Sequence, residues 1–184
     1  MGFIVDGFAP GIVVPTAFVP AGYGAKVRFL RPNDSTAYGA ADVVNTSSVA
    51  ANPGYLIFPN MGPVGGGEIM ITSTMMEHDE TAAISGETSY TLHLYSAIPA
   101  SAFVDNTAWD LGTSGDRVNY LGAVPLGTLA DVGSTMIVFG DGLNRQLTLP
   151  ASSNGNLYGY LLTDGAYTPV ALDVYTVALH SIRI

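Results

Sequence analysis

The sequence predicts an all-β fold, an antiparallel β-sandwich with the jelly roll as a candidate arrangement, preceded by an extended N-terminal arm. From Lys26 onward, apolar and polar residues alternate with a period of two, which is typical of half-buried strands. Nearly every gap between the short apolar runs holds Gly, Pro, Asn or Asp, the residues that tight turns favour. Many short strands at regular spacing indicate a sandwich.

Residues 1–24 are predicted to form an extended, apolar arm rich in Pro and Gly. Pro10, Pro15 and Pro20 favour extended backbone, cannot donate to a sheet and would break a membrane-spanning helix. Two interpretations remain open, an edge strand on the arm's own domain and an arm laid over a neighbouring subunit. In the second, the arm binds a partner through the apolar residues Phe3, Ile4, Phe8, Ile12, Val14 and Phe18. Residues 25–184 are predicted to form a single β-sandwich domain.

The first strand of that domain is predicted at 26–31, with Val27 and Phe29 on its buried face. A Pro followed by good helix formers predicts one or two helical turns at 99–103. The segment 141–144 is predicted to be a hairpin turn. Further strands are predicted at 43–44, 55–58, 68–75, 89–95, 120–124, 135–139, 146–149, 157–163 and 174–182.

The composition favours a subunit of an assembly. Only 11% of the 184 residues are charged and 48% are hydrophobic, whereas about a quarter of a typical soluble domain is charged. A surface with so few solvating groups is expected to be covered by other protein. The formal charge of −9 opposes nucleic-acid binding. Because the chain has no cysteine, disulfides, thiolate metal sites and cysteine nucleophiles are excluded.

Three of the six cations lie within one short stretch, at Lys26, Arg28 and Arg31. A strand with Lys26 and Arg28 on one face and Arg31 just beyond is a candidate docking strip for an acidic partner, where charge complementarity sets register. The alternative is that these are three ordinary surface cations.

The histidines do not indicate catalysis. His93 and His180 lie within predicted strands, where an imidazole is expected to be hydrogen-bonded on a sheet face. His78 lies in the acidic segment 77–80, for which a solvated loop is favoured over a metal site, because four consecutive turn residues point in different directions. The segment 112–115 is expected to be a Gly-rich surface loop and not a serine nucleophile elbow. We therefore expect no catalytic residues, no metal, no cofactor and no enzymatic activity.

Aromatic residues could form a sugar-binding platform, since aromatic rings suit the apolar faces of sugars. The candidates are Tyr158, Tyr160, Tyr167, Tyr175 and Trp109. Tyrosine is also common in strands and at protein interfaces, and a core or interface position is favoured over a sugar site.

The order of several segments resembles a known family. These segments are Thr36-Ala-Tyr-Gly-Ala-Ala-Asp-Val-Val44, Gly67-Glu-Ile-Met-Ile71, Tyr90-Thr-Leu-His-Leu-Tyr95, Asp105-Asn-Thr-Ala-Trp109, Tyr120-Leu-Gly122, Tyr158-Gly-Tyr-Leu-Leu162 and Tyr167-Thr-Pro169. Over residues 25–184 the chain is similar to small β-rich virion proteins of tailed bacteriophages, of the type that decorates or cements the capsid.

The resemblance implies a non-enzymatic virion protein, made in the host cytoplasm, that binds the outside of a phage head and stabilises contacts between capsomers. Its expected partners are the major capsid protein and copies of itself, as a dimer or trimer, with no nucleic acid and no membrane. Three alternatives remain: a carbohydrate-binding or adhesin sandwich, a tail or head-fibre subunit, and an enzyme, which would require histidines or carboxylates to converge in a pocket.

Overall fold

The computed structural model describes residues 22–46, 54–112 and 114–184. The six apolar residues predicted to bind a partner through the arm, Phe3, Ile4, Phe8, Ile12, Val14 and Phe18, lie outside the described residues. The described strands are β1 Gly22–Leu30, β2 Val43–Val44, β3 Leu56–Phe58, β4 Gly67–His78, β5 Ser89–Tyr95, β6 Tyr120–Thr128, β7 Ala130–Asp131, β8 Met136–Leu149, β9 Leu157–Thr163 and β10 Val174–Arg183. One short α-helix, α1 Ser114–Asn119, and a 3-10 turn at Ala151–Ser153 accompany them.

The strands form two antiparallel sheets, which confirms the predicted all-β sandwich. The first sheet has the order β1-β10-β4-β8-β7, and the second has the order β2-β9-β5-β6 with β3 also paired to β9. β2 and β3 pair with successive parts of β9, so they occupy one strand position. With these two counted as one and β7 set aside, eight positions remain, and their order along the chain is 1-8-3-6 in one sheet and 2-7-4-5 in the other. This is the strand order of a jelly roll.

The core lies between the two sheets because alternate residues of each strand point inward. It includes Ile69 of β4 and Val177 of β10 from the first sheet, and Leu92 of β5 and Leu161 of β9 from the second. Each of these four side chains is fully buried. Burial of these inward-facing apolar side chains, which the alternation in the sequence predicts, is therefore the main force that holds the two sheets together.

The segment 141–144 is not a hairpin turn, contrary to the prediction. β8 runs through it without reversing and stays paired with β4 on both sides. Its ladder with β4 shifts register between Ile71 and Ser73, and Gly142 and Asn144 have positive φ there. Gly and Asn adopt this conformation most readily, so the same residues that signal a turn here form a bulge.

The prediction of helical turns at 99–103 is also wrong, because the structure has no helix there. The α-helix of the described residues is α1. Ala100 and Ser101 instead donate their backbone N–H groups to Asp116 Oδ1, at 2.7 and 3.1 Å. The buried Asp116 of α1 thus satisfies two backbone donors of a segment that is not helical. The Gly-rich loop predicted at 112–115 gives way to this helix at Ser114.

Candidate functional site

The outer face of the first sheet is a regular surface that carries exposed apolar and charged side chains. Strand register places Lys26, Ala178, Met75 and Phe139 in one row across β1, β10, β4 and β8. Phe139 is 66% exposed, which is unusual for a Phe in the middle of a strand. We name this surface the docking face and define it by Lys26, Arg28, Met75, Glu77, Ile137 and Phe139.

Two of the predicted docking cations lie on this face. Lys26 Nζ is 3.6 Å from Glu77 Oε2, and Arg28 Nη2 is 3.9 Å from Asp79 Oδ2. Both pairs are solvent-exposed, and such pairs contribute only about 0–1 kcal/mol. The two cations therefore lie beside the apolar residues of the docking face and contribute little to the stability of the fold. Their role in docking stays a prediction.

Arg31, the third predicted docking cation, does not lie on the docking face. Its side chain is fully buried, and its Nη2 donates to Asp105 Oδ2 at 2.7 Å. Tyr38 Oη donates to Asp105 Oδ1 at 2.6 Å, and Arg31 Nη1 donates to the Val170 carbonyl at 3.0 Å. Burial alone would lower the pKa of Arg31, but the hydrogen bonds and charges of Asp105 and Tyr38 together raise it further than burial lowers it. Arg31 is a structural ion-pair residue.

The alternation of β1 could have revealed this position. Lys26 and Arg28 point outward, so two-residue periodicity places residue 30 outward and residue 31 inward. Leu30 is indeed exposed and Arg31 buried. Arg31 is close to Lys26 and Arg28 in sequence, but it lies an odd number of positions from each of them. Its side chain therefore points to the opposite side of the sheet.

His78 lies in a second buried polar cluster, so the prediction of a solvated loop is wrong for this residue. It is the last residue of β4 and is fully buried. Its Nδ1 is 3.0 Å from Glu87 Oε1, and its Nε2 is 3.2 Å from Asp173 Oδ2. Its ring stacks on Tyr175 at 4.3 Å. Burial lowers the pKa of His78, but Asp173 and Glu87 outweigh burial and raise the pKa to about 9.

Most of the tyrosines considered for a sugar platform lie in the interior, as the favoured interpretation held. Tyr160, Tyr167 and Tyr175 are buried, and Tyr158 is half-buried. The Tyr167 hydroxyl is 3.0 Å from that of Tyr175 and 2.8 Å from that of Tyr90. Burial raises the pKa of Tyr167 and of Tyr175, so these hydroxyls stay neutral. Three of the candidates are thereby removed from any sugar-binding surface.

Trp109 belongs to an aromatic cover over the outer face of the second sheet. Its Nε1 donates to Tyr95 Oη at 3.0 Å, and its ring lies 3.9 Å from that of His93. Tyr120 Oη is 3.0 Å from His93 Nδ1. Burial lowers the pKa of His93 to about 4, so its imidazole is neutral at pH 7. Both strand histidines are hydrogen-bonded on a sheet face as predicted, since His180 Nδ1 is 3.2 Å from Ser73 Oγ.

The lowered pKa of His93 predicts a loss of stability in acid. An unfolded histidine titrates near 6.5, so between pH 6.5 and about 4 the unfolded state binds the proton and the folded state does not. After allowance for partial exposure, we expect His93 to account for a fall of about 1–2 kcal/mol in the free energy of unfolding over this range. Urea titrations at several pH values measure this fall, and the free energy of unfolding of wild type should decrease more steeply towards acid than that of His93→Gln. His180→Gln, which replaces an exposed histidine, is the control. The same decrease with pH in wild type and His93→Gln would contradict the prediction.

The described residues enclose no pocket. No described helix has the length and apolar character needed to cross a membrane. The functional candidates of the described chain are therefore the docking face, the aromatic cover and the two buried polar clusters.

Comparison with known proteins identifies no family for this chain. No protein-family model matches it, and no curated protein matches it. Among solved structures it is similar to the K3 cleaved adhesin domain of Lys-gingipain (Kgp) from Porphyromonas gingivalis w83. The identity is 15% and the TM-score 0.27, over 78% of this chain and 71% of that chain. A likeness at this level carries no argument, so the proposals below depend on the chain's own residues.

Proposed function

We propose that the chain is a non-enzymatic structural protein of a virion, a decoration or cement protein that binds the outside of a phage head. The docking face carries this proposal, because Phe139 of β8 is exposed beside the β7 edge of the first sheet. In the proposal, its partners are the major capsid protein and neighbouring copies of the chain, with a dimer or trimer as the oligomer.

The chemistry of the docking face suits a protein partner. Its apolar centre consists of Met75, Ile137 and Phe139, and two cations lie at the β1 edge. Burying an exposed aromatic ring is favourable by roughly 25 cal/mol per Å² of apolar area, before the costs of association are subtracted. The cations set orientation and register against acidic groups of the partner. On a lattice, many identical contacts of this kind add up over neighbouring sites.

The N-terminal sequence supports the same proposal. In the sequence, the apolar residues of 1–21 directly precede β1, the edge strand of the first sheet, which also carries the docking-face cations. In the proposal, this apolar segment makes a second contact to the same neighbour. The net charge of −9 argues against nucleic acid as the ligand of this surface.

Co-sedimentation with phage heads tests the proposal. The purified chain is mixed with heads of the phage that encodes it, after the accessory proteins have been stripped from them. We expect saturable binding at an integral ratio per hexamer. Phe139→Asp should weaken binding at least about 10-fold, because it places a charge in the apolar centre. Val118→Asp is the matched control, since Val118 on α1 is 83% exposed but lies off the docking face.

The outcomes separate the docking face from other surfaces. If wild type binds and Phe139→Asp binds equally well, the docking face is not the site, and deletion of residues 1–21 tests the arm as the sole contact. If wild type does not bind stripped heads, the decoration role is wrong.

A carbohydrate-binding module is the second candidate, and one observation favours it. Trp109, Tyr120 and Tyr158 remain partly exposed on the outer side of the second sheet. Glycan binding by a chain that does not bind heads, weakened by Trp109→Ala, would support this alternative.

A further inference from the structure

Three groups with metal-binding chemistry meet at one end of the sandwich. They are His78 at the end of β4, Glu80 in the connection to β5, and Asp173 just before β10. One ligand atom from each lies within 4.8 Å of the other two. Asp173, which is distant in sequence, is thus brought beside His78 and Glu80, so the three ligand groups do not come from one set of consecutive turn residues.

The Nε2 atom of His78 faces the carboxylates of Asp173 and Glu80 without making a hydrogen bond. His78 is fully buried, and its Nε2 makes no hydrogen bond. Nε2 lies 3.2 Å from Asp173 Oδ2, close enough for charge attraction but out of line for a hydrogen bond. A buried polar atom without such a bond is costly, and a metal ion at this position would satisfy it.

The other side of the ring is fixed as it is in metal-bound histidines. His78 Nδ1 is 3.0 Å from Glu87 Oε1, which also accepts from Tyr90 Oη at 2.6 Å. Glu87 Oε2 accepts from the Ile84 backbone N–H at 3.2 Å. A carboxylate that holds one ring nitrogen while the other faces a metal is the usual outer shell of a histidine ligand. Stacking on Tyr175 fixes the ring plane as well.

The charge around His78 favours a further cation. Glu80, Glu87 and Asp173 surround a single imidazole, so carboxylates outnumber the positive charge even when the ring is protonated. Glu80 is half-buried and gives solvent a path to the site. A divalent ion would relieve the repulsion between the neighbouring carboxylates of Glu80 and Asp173.

We propose that His78 Nε2, Glu80 and Asp173 bind a divalent transition-metal ion, with Zn²⁺ the best match to one imidazole and two carboxylates. Bonds of about 2.0–2.2 Å to a tetrahedral ion place ligand atoms roughly 3.3–3.5 Å apart, a separation that His78 and Asp173 nearly have already. On binding, the ion takes the lone pair of Nε2, and any proton on that nitrogen leaves to solvent. The bound ion ties the β4–β5 connection to the β9–β10 connection, which is a structural role.

Isothermal titration of the EDTA-treated chain with ZnCl₂ tests the proposal, with CaCl₂ as a comparison. We expect saturable Zn²⁺ binding at one ion per chain, a rise in Tm when Zn²⁺ is added, and much weaker Ca²⁺ binding. Glu80→Gln should weaken Zn²⁺ binding at least about 10-fold. This variant is chosen because Glu80 is the most accessible of the three ligands and its replacement spares the buried pair.

Two matched controls make the result specific. Asp79→Asn removes an adjacent exposed carboxylate, and His180→Gln removes an exposed histidine that could bind Zn²⁺ adventitiously. Both should bind Zn²⁺ as wild type does. No saturable binding, binding unaffected by Glu80→Gln, or binding lost in His180→Gln would each overturn the proposal.

Discussion

Replacing Arg31 by Met should lower the free energy of unfolding by about 3–5 kcal/mol, whereas replacing Arg28 by Met should lower it by at most about 1 kcal/mol. The two arginines lie on the same strand or directly after it, and both face a carboxylate. The Arg31 side chain is 0% exposed, whereas that of Arg28 is 65% exposed. Removing Arg31 leaves the Asp105 carboxylate, itself buried, without its counter-charge. Removing Arg28 leaves Asp79 in water, where it needs no partner.

Urea unfolding of the two variants at pH 7 measures this difference, with Arg28→Met as the matched control. The double variant Arg31→Met with Asp105→Asn should be less destabilised than Arg31→Met alone, because no unpaired carboxylate then remains buried. The double variant also provides a measurement if Arg31→Met does not fold. Equal free energies for Arg28→Met and Arg31→Met would show that the buried pair contributes no more than a surface pair.

Strands β1, β4 and β5 were predictable because one face of each is more buried than the other. Lys26 and Val27 show this directly, since burial alternates along β1 as the sequence does. The hydrogen-bonded edges of the strands leave no comparable pattern in the sequence. The sequence therefore does not predict which strands are neighbours in a sheet. β7 was missed because it has two residues, both exposed, and thus no apolar pattern.

The His78 cluster could not be predicted because a bulge changes the parity of β4. Ile69 and Ile71 point inward, but after the register shift beside Ser73 the inward residues are Thr74, Met76 and His78. Unbroken alternation from Ile69 would have placed His78 among the even-numbered, outward residues. Its partners Glu87 and Asp173 come from later connections, and no local pattern links them to it. Long-range polar clusters of this kind depend on the strand order, which the sequence pattern does not encode.

Raising the pH from 6.5 to 9 should lower the free energy of unfolding by about 3 kcal/mol through His78 alone, in the presence of a chelator. Below pH 6.5 the imidazole is protonated in both states, and its ion pairs with Asp173 and Glu87 stabilise the fold in full. Between pH 6.5 and about 9 the unfolded chain loses the proton while the folded chain retains it. The folded state binds more protons over this range, so stability falls as the pH rises. Above about pH 9 both states are neutral and the loss from His78 is complete.

Urea titrations at pH 6, 7, 8 and 9 measure the fall. His180→Gln should retain the full pH dependence, because it removes an exposed histidine. His78→Gln should lose the dependence, and if it does not fold, an NMR titration of the His78 ring in wild type replaces it. The series stops at pH 9 because the buried Tyr90, Tyr167 and Tyr175, whose pKa values burial raises, lower stability at higher pH by a separate route. A His78 ring that titrates near 6.5, or a stability that does not change from pH 6.5 to 9, would mean that Asp173 and Glu87 do not hold a proton on this imidazole. The ion pairs would then contribute little to the stability of this end of the sandwich.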